Sequence, residues 1–269
     1  MKKSFFLSAL LLSASLYANT LEEIMKQKEV RIALSTMNHP FSSMRDGEFV
    51  GFEVDLAKKI GEKLVGDGGK VTLVGLNNPT QKVEFLNNNV VDIVISNFLK
   101  TPKLDKEVDF AMPYFSVGIA ALTKTDNKVK NITELKNIAI KKGFSPAIDA
   151  CAKMCPKDTN ILEVKDNNEG YDLMKKGKVD AYLNTDLVVM GYPIFDNNVE
   201  VKHKIGKKMF LSPGVKKGNQ ELVDAINKIM FSLSKEGYFR SIYEKTFGKF
   251  YKDSLVAEEF LLEDLYSTL

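Results

Sequence analysis

The sequence predicts an α/β protein with two lobes. Apolar stretches of strand length alternate with amphipathic stretches of helical period along most of the 269 residues. The alternation runs through two successive series, one on either side of residue 100. Because each series can form its own covered sheet, and the chain is long enough for two hydrophobic cores, two lobes are favoured over one.

The first series is predicted to contain a hairpin and a strongly amphipathic helix. Arg45-Asp46-Gly47 lies between two apolar stretches, and Asp-Gly is typical of a tight hairpin turn. The helix carries Leu56, Ile60 and Leu64 on one face and charged residues opposite. In order, the predicted ranges are strand 30–34, hairpin 41–43 with 49–52, helix 53–65, strand 71–76, helix 79–86 and buried strand 90–95.

The second series is predicted to repeat the alternation and to end in helices. Its strands are expected at 119–122, 138–140, 161–164, 179–183 and 199–201, and its helices at 145–153, 169–176 and from 186 to 190. The C-terminal part is predicted to be helical over 220–234 and 239–247. An acidic, amphipathic stretch over 255–265 is expected to form a last helix.

Composition excludes several classes of function. The formal net charge is +3, with 38 basic and 35 acidic residues interspersed, which argues against a nucleic-acid-binding protein. With His39 and His203 as the only histidines, a His-based catalytic dyad or a zinc site is not expected. No phosphate-binding or dinucleotide-binding loop and no nucleophile elbow is found. We therefore predict no catalytic residues, no cofactor and no metal.

Residues 1–18 have the pattern of a cleaved signal peptide. Lys2 and Lys3 precede an apolar stretch, small residues follow, and Ala18 is a plausible last residue before cleavage. A membrane anchor is disfavoured because the apolar stretch is short for a span of about 30 Å. No cysteine lies near the cleavage point, so a lipoprotein is not expected. The prediction is a protein secreted into the periplasm.

Cys151 and Cys155 are the only cysteines. Export permits a disulfide, although an uninterrupted helix would not bring the two side chains into ideal geometry for one. A local disulfide is the favoured hypothesis, and free or inert thiols come next. A site for a soft metal that includes Met154 is the third.

Five motifs in order suggest a family. They are NHPF at 38–41, GEFVGFEVDLAKKIGEKL at 47–64, VVDIVISNFLKTPKLDKEVDFAMPY at 90–114, IAIKKG at 138–143 and GKVDAYLNTD at 177–186. Together they resemble the bacterial periplasmic solute-binding proteins of the polar amino-acid class (family 3), which feed ABC importers. The resemblance covers the chain from the end of the signal peptide to about Lys249.

The resemblance implies the type II periplasmic-binding-protein fold, with a ligand cleft between two lobes joined by two crossings. We place the crossings near 115–118 and 208–211. Lobe one would be 19–116 plus 212–250, lobe two 117–210, and residues 251–269 a helical extension. The implied function is a monomeric receptor that closes on a small polar solute, an amino acid or related compound, and delivers it to a membrane permease.

Residues at family positions and at strand or helix ends are the candidate ligand contacts. Phe41 and Phe98 could equally be core residues, and Ser145 or Asp186 could simply cap helices. Glu53 is favoured as a helix-start residue over a cleft residue. The candidates are Asn38, Phe41, Ser96, Asn97, Phe98, Lys100, Thr101, Gly143, Phe144, Ser145, Thr185 and Asp186.

The sequence departs from the family pattern where a ligand carboxylate would be held. The family usually places an arginine two residues after the proline of Thr101-Pro102, and Leu104 stands there. Thr185 stands where the acid for the α-ammonium is usual. Either Lys100 or Lys103 replaces the arginine, or the ligand is not a free α-amino acid, and the second hypothesis is favoured because an unpaired carboxylate is costly to bury.

Two other functions remain as alternatives. The resemblance extends to periplasmic dehydratases that act on cyclohexadienyl carboxylates, and the missing arginine counts against that chemistry. An exported interaction or adhesion protein that uses the acidic tail is the other alternative.

Overall fold

The computed structural model describes residues 20–252 and 255–262. Its strands are β1 (Glu29–Ser35), β2 (Met37–Asn38), β3 (Ser42–Arg45), β4 (Glu48–Val50), β5 (Lys70–Leu76), β6 (Ile93–Val94), β7 (Val108–Phe110), β8 (Phe115–Lys124), β9 (Asn137–Lys141), β10 (Asn160–Val164), β11 (Ala181–Thr185), β12 (Val199–Leu211) and β13 (Gly214–Lys216). The predicted signal peptide lies outside the described residues.

The helices complete the alternation. They are α1 (Leu21–Gln27), α2 (Phe52–Val65), α3 (Gln81–Asn87), α4 (Ser145–Met154), α5 (Asn167–Lys175), α6 (Asp186–Met190), α7 (Gln220–Lys235), α8 (Tyr238–Tyr243) and α9 (Lys249–Tyr251), with a π-helical turn at Glu244–Gly248 and a 3-10 turn at Ala257–Glu259. Among the helices of the described residues, none is long and apolar enough to cross a membrane.

Two five-stranded sheets define two lobes. In the described residues the first sheet has the order β5-β1-β6-β13-β7 and the second the order β10-β9-β11-β8-β12. Strands β5, β1 and β6 are parallel, and β13 runs antiparallel to its neighbours. The chain passes from the first sheet to the second between β7 and β8, and it returns between β12 and β13. This is the two-lobed α/β architecture that the sequence predicts.

Local signals in the sequence explain the hairpin and the helix that follows it. Asp46 and Gly47 have φ angles of 49° and 83°, as a tight turn between β3 and β4 requires. Gly51 precedes α2 with φ 133°, and a Cβ there would lie 2.4 Å from the carbonyl oxygen of Phe41, so only glycine fits. Helix α2 then buries its apolar face against the first sheet.

Two strands differ in length from the prediction. Strand β12 spans Val199–Leu211 instead of 199–201, because its lysine-rich second half pairs with β8 through the backbone. Strand β6 spans only Ile93–Val94, since the N–H groups of Val90 and Val91 still bond back to the carbonyl of Phe85 at the end of α3.

The prediction of an acidic helix from residue 255 is wrong for the described part of the tail. That part makes one 3-10 turn at Ala257–Glu259 and no helix longer than that. Leu261 forms an antiparallel bridge with Phe115, at the start of β8. Burial of Phe260 and Leu261 against the connecting strands, at 1% and 5% exposure, takes the place of helix formation.

Candidate functional site

Glu53 is the centre of a buried polar cluster at the start of α2. Its carboxylate accepts hydrogen bonds from the Tyr114 hydroxyl (2.5 Å), the Asn97 N–H (2.5 Å) and the Ser42 hydroxyl (3.3 Å). Burial raises the pKa of Glu53, while the hydrogen bonds from Tyr114 and Asn97 act in the opposite direction. The carboxylate therefore fixes the position of the loop that follows β6.

Lys82 holds the same loop from the other side. Its Nζ donates to the carbonyl oxygen of Asn97 at 3.0 Å and lies 5.4 Å from the centre of the Phe98 ring. Burial lowers the pKa of Lys82 to about 8, and the nearby Glu53 carboxylate acts in the opposite direction. Lys82 as a residue is half-buried, and its ammonium group lies at the predicted binding loop.

The loop itself carries the polar groups that the sequence analysis selected. Asn97 has φ 46°, a left-handed conformation that asparagine tolerates. The Ser96 hydroxyl is buried and makes no hydrogen bond to any described residue. Thr101 accepts a hydrogen bond from the Leu104 N–H at 3.2 Å, so its side chain shapes the turn that follows.

The two lysines suggested as substitutes for the family arginine are both exposed to solvent to a large extent. Lys100 lies 3.8 Å from Asp105 and is about half exposed, and Lys103 is exposed on the surface. Leu104 packs against the apolar cluster around Phe98 and Val108. The arginines do not fill the gap, because Arg31 pairs with Asp92 and Arg240 with Glu258, and Arg45 lies in the hairpin.

Phe41 and Phe98 are buried and pack against other aromatic rings. Phe41 is 5% exposed, with ring centroids 4.8 Å from Phe247 and 5.2 Å from Phe115. Phe98 is 2% exposed and packs edge to face on Phe110. Both rings are already in contact with other aromatic rings, and this packing supports the neighbouring polar loop.

In lobe two, Asp186 joins α6 to a connecting strand. It is 2% exposed, and its carboxylate accepts hydrogen bonds from the N–H groups of Gly118 (2.8 Å) and Leu187 (2.9 Å). Burial raises the pKa of Asp186, against these hydrogen bonds and the positive charges of Lys208 and Lys204. A Cβ on Gly118 would lie 3.0 Å from Oδ2 of Asp186, so the glycine permits this close approach.

The remaining candidates lie at element ends. Gly143, with φ 77°, and Phe144 lead into α4, where Ser145 is the first residue and Phe144 the cap. Thr185 is the last residue of β11, at the start of α6. Asn38 pairs with Ser42 between β2 and β3 and is half-buried.

Sequence reasoning missed Lys82 and Tyr114 and gave Glu53 the lesser role. Lys82 lies 29 positions from Glu53 along the chain, and only the fold brings both to Asn97. The sequence pattern that could be recognised was a polar loop after a buried strand, and Asn97 was selected as a candidate on that basis.

A disulfide joins Cys151 to Cys155 across the end of α4, with 4.8 Å between the Cα atoms. Met154 between them accepts a hydrogen bond from the Gly206 N–H at 3.1 Å. Within the described residues no group of three or more His, Cys, Asp or Glu side chains could hold a metal ion.

Two lobes with a polar loop at a strand end are what a periplasmic-type solute-binding protein would have. The chain belongs to the bacterial extracellular solute-binding proteins, family 3, whose model matches residues 30–249. Proteins of this kind act outside the cytoplasm with ABC importers. The protein is thus a solute-binding protein of this family.

Relatives and solved structures agree with this assignment. The glutamine-binding protein of Geobacillus stearothermophilus is 30% identical over 188 residues, which are 68% of this chain and 71% of that protein. The crystal structure of a cysteine-binding protein from Campylobacter jejuni is similar, with a TM-score of 0.75 and 26% identity over 90% of this chain and 98% of that one. A solute receptor for L-cysteine of Neisseria gonorrhoeae has a TM-score of 0.74 and 26% identity over 90% of this chain and 99% of that one.

Proposed function

We propose that this receptor binds a small α-amino acid or a closely related carboxylate, and that Lys82 supplies the cation that the family places at residue 104. The observation that carries this proposal is the Nζ of Lys82 at 3.0 Å from the Asn97 carbonyl, within the predicted binding loop. A point charge on a lysine can hold a carboxylate, although without the bidentate geometry of arginine.

This proposal departs from the hypothesis favoured on the basis of Leu104, that the ligand is not a free α-amino acid. That preference depended on the absence of a cation at the loop, and Lys82 is such a cation. The buried hydroxyl of Ser96 adds a hydrogen-bonding group for the ligand next to Asn97. The names of the relatives support the amino-acid class, since they specify glutamine and cysteine.

In lobe two, Thr185, Gly143 and Ser145 are proposed to contact the ligand. Asp186 is proposed to have a structural role, because each of its carboxylate oxygens already accepts a hydrogen bond from a backbone N–H. The lobes would close on the ligand by bending at the segments that connect the two sheets. Contacts from both lobes would then stabilise the closed form.

A thermal-shift screen tests the ligand class. The panel contains L-cysteine, L-cystine, L-glutamine, L-arginine, small organic acids and amines, each added to the mature protein. A bound ligand raises the melting temperature by mass action. We expect a shift with at least one amino acid, its loss in Lys82→Met, and its retention in the control Lys103→Met, at an exposed position. A shift only with amines, or an unchanged shift in Lys82→Met, would contradict the assignment.

We further propose that the protein binds without catalysis, supported by relatives named as binding proteins. Incubation with prephenate and arogenate, followed by chromatography, should return both unchanged. Formation of the aromatic products would establish the dehydratase alternative instead.

The proposed location is the periplasm, after cleavage of residues 1–18. N-terminal sequencing of the secreted protein should begin at Asn19, with no lipid attached. Light scattering on the purified protein should give the mass of a monomer.

A further inference from the structure

The described C-terminal segment lies beside the strands that connect the two lobes. We call residues 255–262 the C-terminal strap. Leu99 bridges Leu211, Leu211 pairs with Phe115, and Phe115 bridges Leu261, so four segments lie side by side. The Ser116 N–H donates to the Phe260 carbonyl at 2.7 Å. The strap is thus joined by an isolated β-bridge to β8 at the connection between the lobes.

Side-chain packing holds the strap on this sheet. The ring of Phe260 stacks on Phe115 with 5.9 Å between centroids, and the ammonium group of Lys208 lies 5.6 Å from the Phe260 centroid. Phe260, Leu261 and Ala257 belong to the largest apolar cluster of the described residues, most of which lies in lobe one. That cluster also includes Leu187 of α6, whose carbonyl accepts a hydrogen bond from Tyr251 at 2.7 Å.

Charged residues attach the strap on two sides. Glu258 pairs with Arg240 of α8 at 3.0 Å. Glu259 pairs with Lys204 of β12 at 2.5 Å, and its carbonyl oxygen accepts a hydrogen bond from Lys208. Helix α8 packs on the first lobe, while Lys204 belongs to a strand of the second sheet. The strap therefore bonds to both lobes across the connection.

We propose that the C-terminal strap restrains the hinge and thereby sets the ligand affinity of the receptor. Bending at the connection requires changes in the backbone angles of residues near Phe115 and Leu211. A hydrogen-bonded segment with a buried aromatic side chain resists such changes, because bending would break its contacts. The effect on affinity rests on the proposed function, in which the lobes close on the ligand, whereas the restraint itself does not.

Two truncations of the exported protein test the restraint. One ends after residue 254 and lacks the strap, and the control ends after residue 262 and keeps it. Spin labels on Lys58→Cys and Asn168→Cys, which are exposed on α2 and α5, report the distance between the lobes without ligand. We expect a broader distance distribution in the shorter chain and an unchanged one in the control. Equal distributions in all three proteins would overturn the proposal.

A point variant covers the case in which the shorter chain does not fold. Phe260→Ala removes the stacked ring, and Val256→Ala is the control, since Val256 is 57% exposed in the same segment. Hydrogen exchange is followed at the amides of Phe210 and Leu211, one strand away from the strap. Faster exchange there in Phe260→Ala alone supports the restraint. Faster exchange confined to Ser116 would contradict it.

Ligand titration separates this inference from the proposed function. If L-cysteine or L-glutamine binds, loss of the strap should change its dissociation constant by about fivefold or more, the lower end of typical coupling between sites. If none of the amino acids binds, the proposed ligand class fails, while the distance and exchange measurements still decide on the restraint. Binding with an unchanged dissociation constant would refute the link between strap and affinity.

Discussion

Glu53 and Lys82 both hydrogen-bond to the backbone of Asn97. The Glu53 carboxylate accepts from the Asn97 N–H, and the Lys82 ammonium group donates to the Asn97 carbonyl oxygen. The acid begins α2 and the lysine lies in α3, so two helices of the first lobe fix a single residue. A residue held in this way keeps a left-handed conformation without depending on solvent. This arrangement fixes the shape of the loop that follows β6.

Glu53→Gln should destabilise the protein. The amide cannot accept from Tyr114, Asn97 and Ser42 as the carboxylate does, and it places a donor next to donors. We expect a loss of about 2 kcal/mol in the free energy of unfolding, measured with urea. Glu62→Gln, at an exposed position of the same helix, is the control and should change little. Equal effects of the two variants would mean that the hydrogen bonds do not matter.

Ligand affinity should fall as the pH rises through about 8, because burial lowers the pKa of Lys82 to about 8 and the neutral amine no longer attracts a carboxylate. Between pH 7 and 9 the loss should reach about tenfold, and Lys82→Arg should flatten the profile because arginine stays charged. Isothermal titration at several pH values measures this. A wild-type profile that matches Lys82→Arg would exclude Lys82.

As the pH rises, Lys82 should increase the stability of the folded protein, whereas it should decrease the ligand affinity. Its pKa is lower in the folded protein than the ordinary value of 10.5, so the unfolded chain binds more protons between pH 8 and 10.5. The contribution of Lys82 to the free energy of unfolding therefore rises with pH in this window. Urea unfolding of wild type and Lys82→Met at pH 7.5 and 10 should show that the difference between them shifts in favour of the wild type at pH 10. A shift in the other direction would contradict the burial of the charged form.

Gly118→Ala should disturb the link between α6 and the connecting strand. The new methyl group would lie 3.0 Å from a carboxylate oxygen of Asp186 and force it away from two N–H donors. We expect about 1–3 kcal/mol of destabilisation from the crowding. Gly191→Ala is the matched control, because its Cβ would meet nothing closer than 3.4 Å and its φ is −69°. If both variants unfold at the same urea concentration, the close approach is not required.

Removal of the disulfide should have a measurable but moderate cost. Cys151 and Cys155 enclose a short segment, for which the chain-entropy model gives about 2 kcal/mol. The double variant Cys151→Ala/Cys155→Ala should unfold at a lower urea concentration, and a reductant should lower the wild-type midpoint but not that of the variant. A wild type that is insensitive to reductant would show that the bond contributes nothing.

The sequence predicted most of the fold because its strongest local signals agree with the tertiary packing. The Asp46-Gly47 turn and the apolar face of α2 are clear cases. Strand β12 was predicted too short, since lysines cover its exposed side and only backbone pairing with β8 reveals it. The C-terminal tail was predicted to be helical from its hydrophobic period. It instead forms a bridge with a strand more than a hundred residues away in the sequence.

The candidate site could be predicted only in part, for a similar physical reason. Asn97 follows a buried strand, and that position is visible in the sequence. The role of Glu53 depends on Tyr114 and Asn97, and the role of Lys82 depends on the same loop, so both arise from contacts between distant segments. No spacing along the chain encodes these contacts.

The strand order of the first sheet bears on how a chain that emerges N-terminus first can fold. Strand β13 (Gly214–Lys216) lies between β6 and β7, so β7 has no place in the sheet until β13 arrives. In the described residues, the five strands of the second sheet all end by Leu211. The later lobe can therefore finish its sheet before the earlier one, and β7 pairs with β13 only after the chain has emerged as far as Lys216.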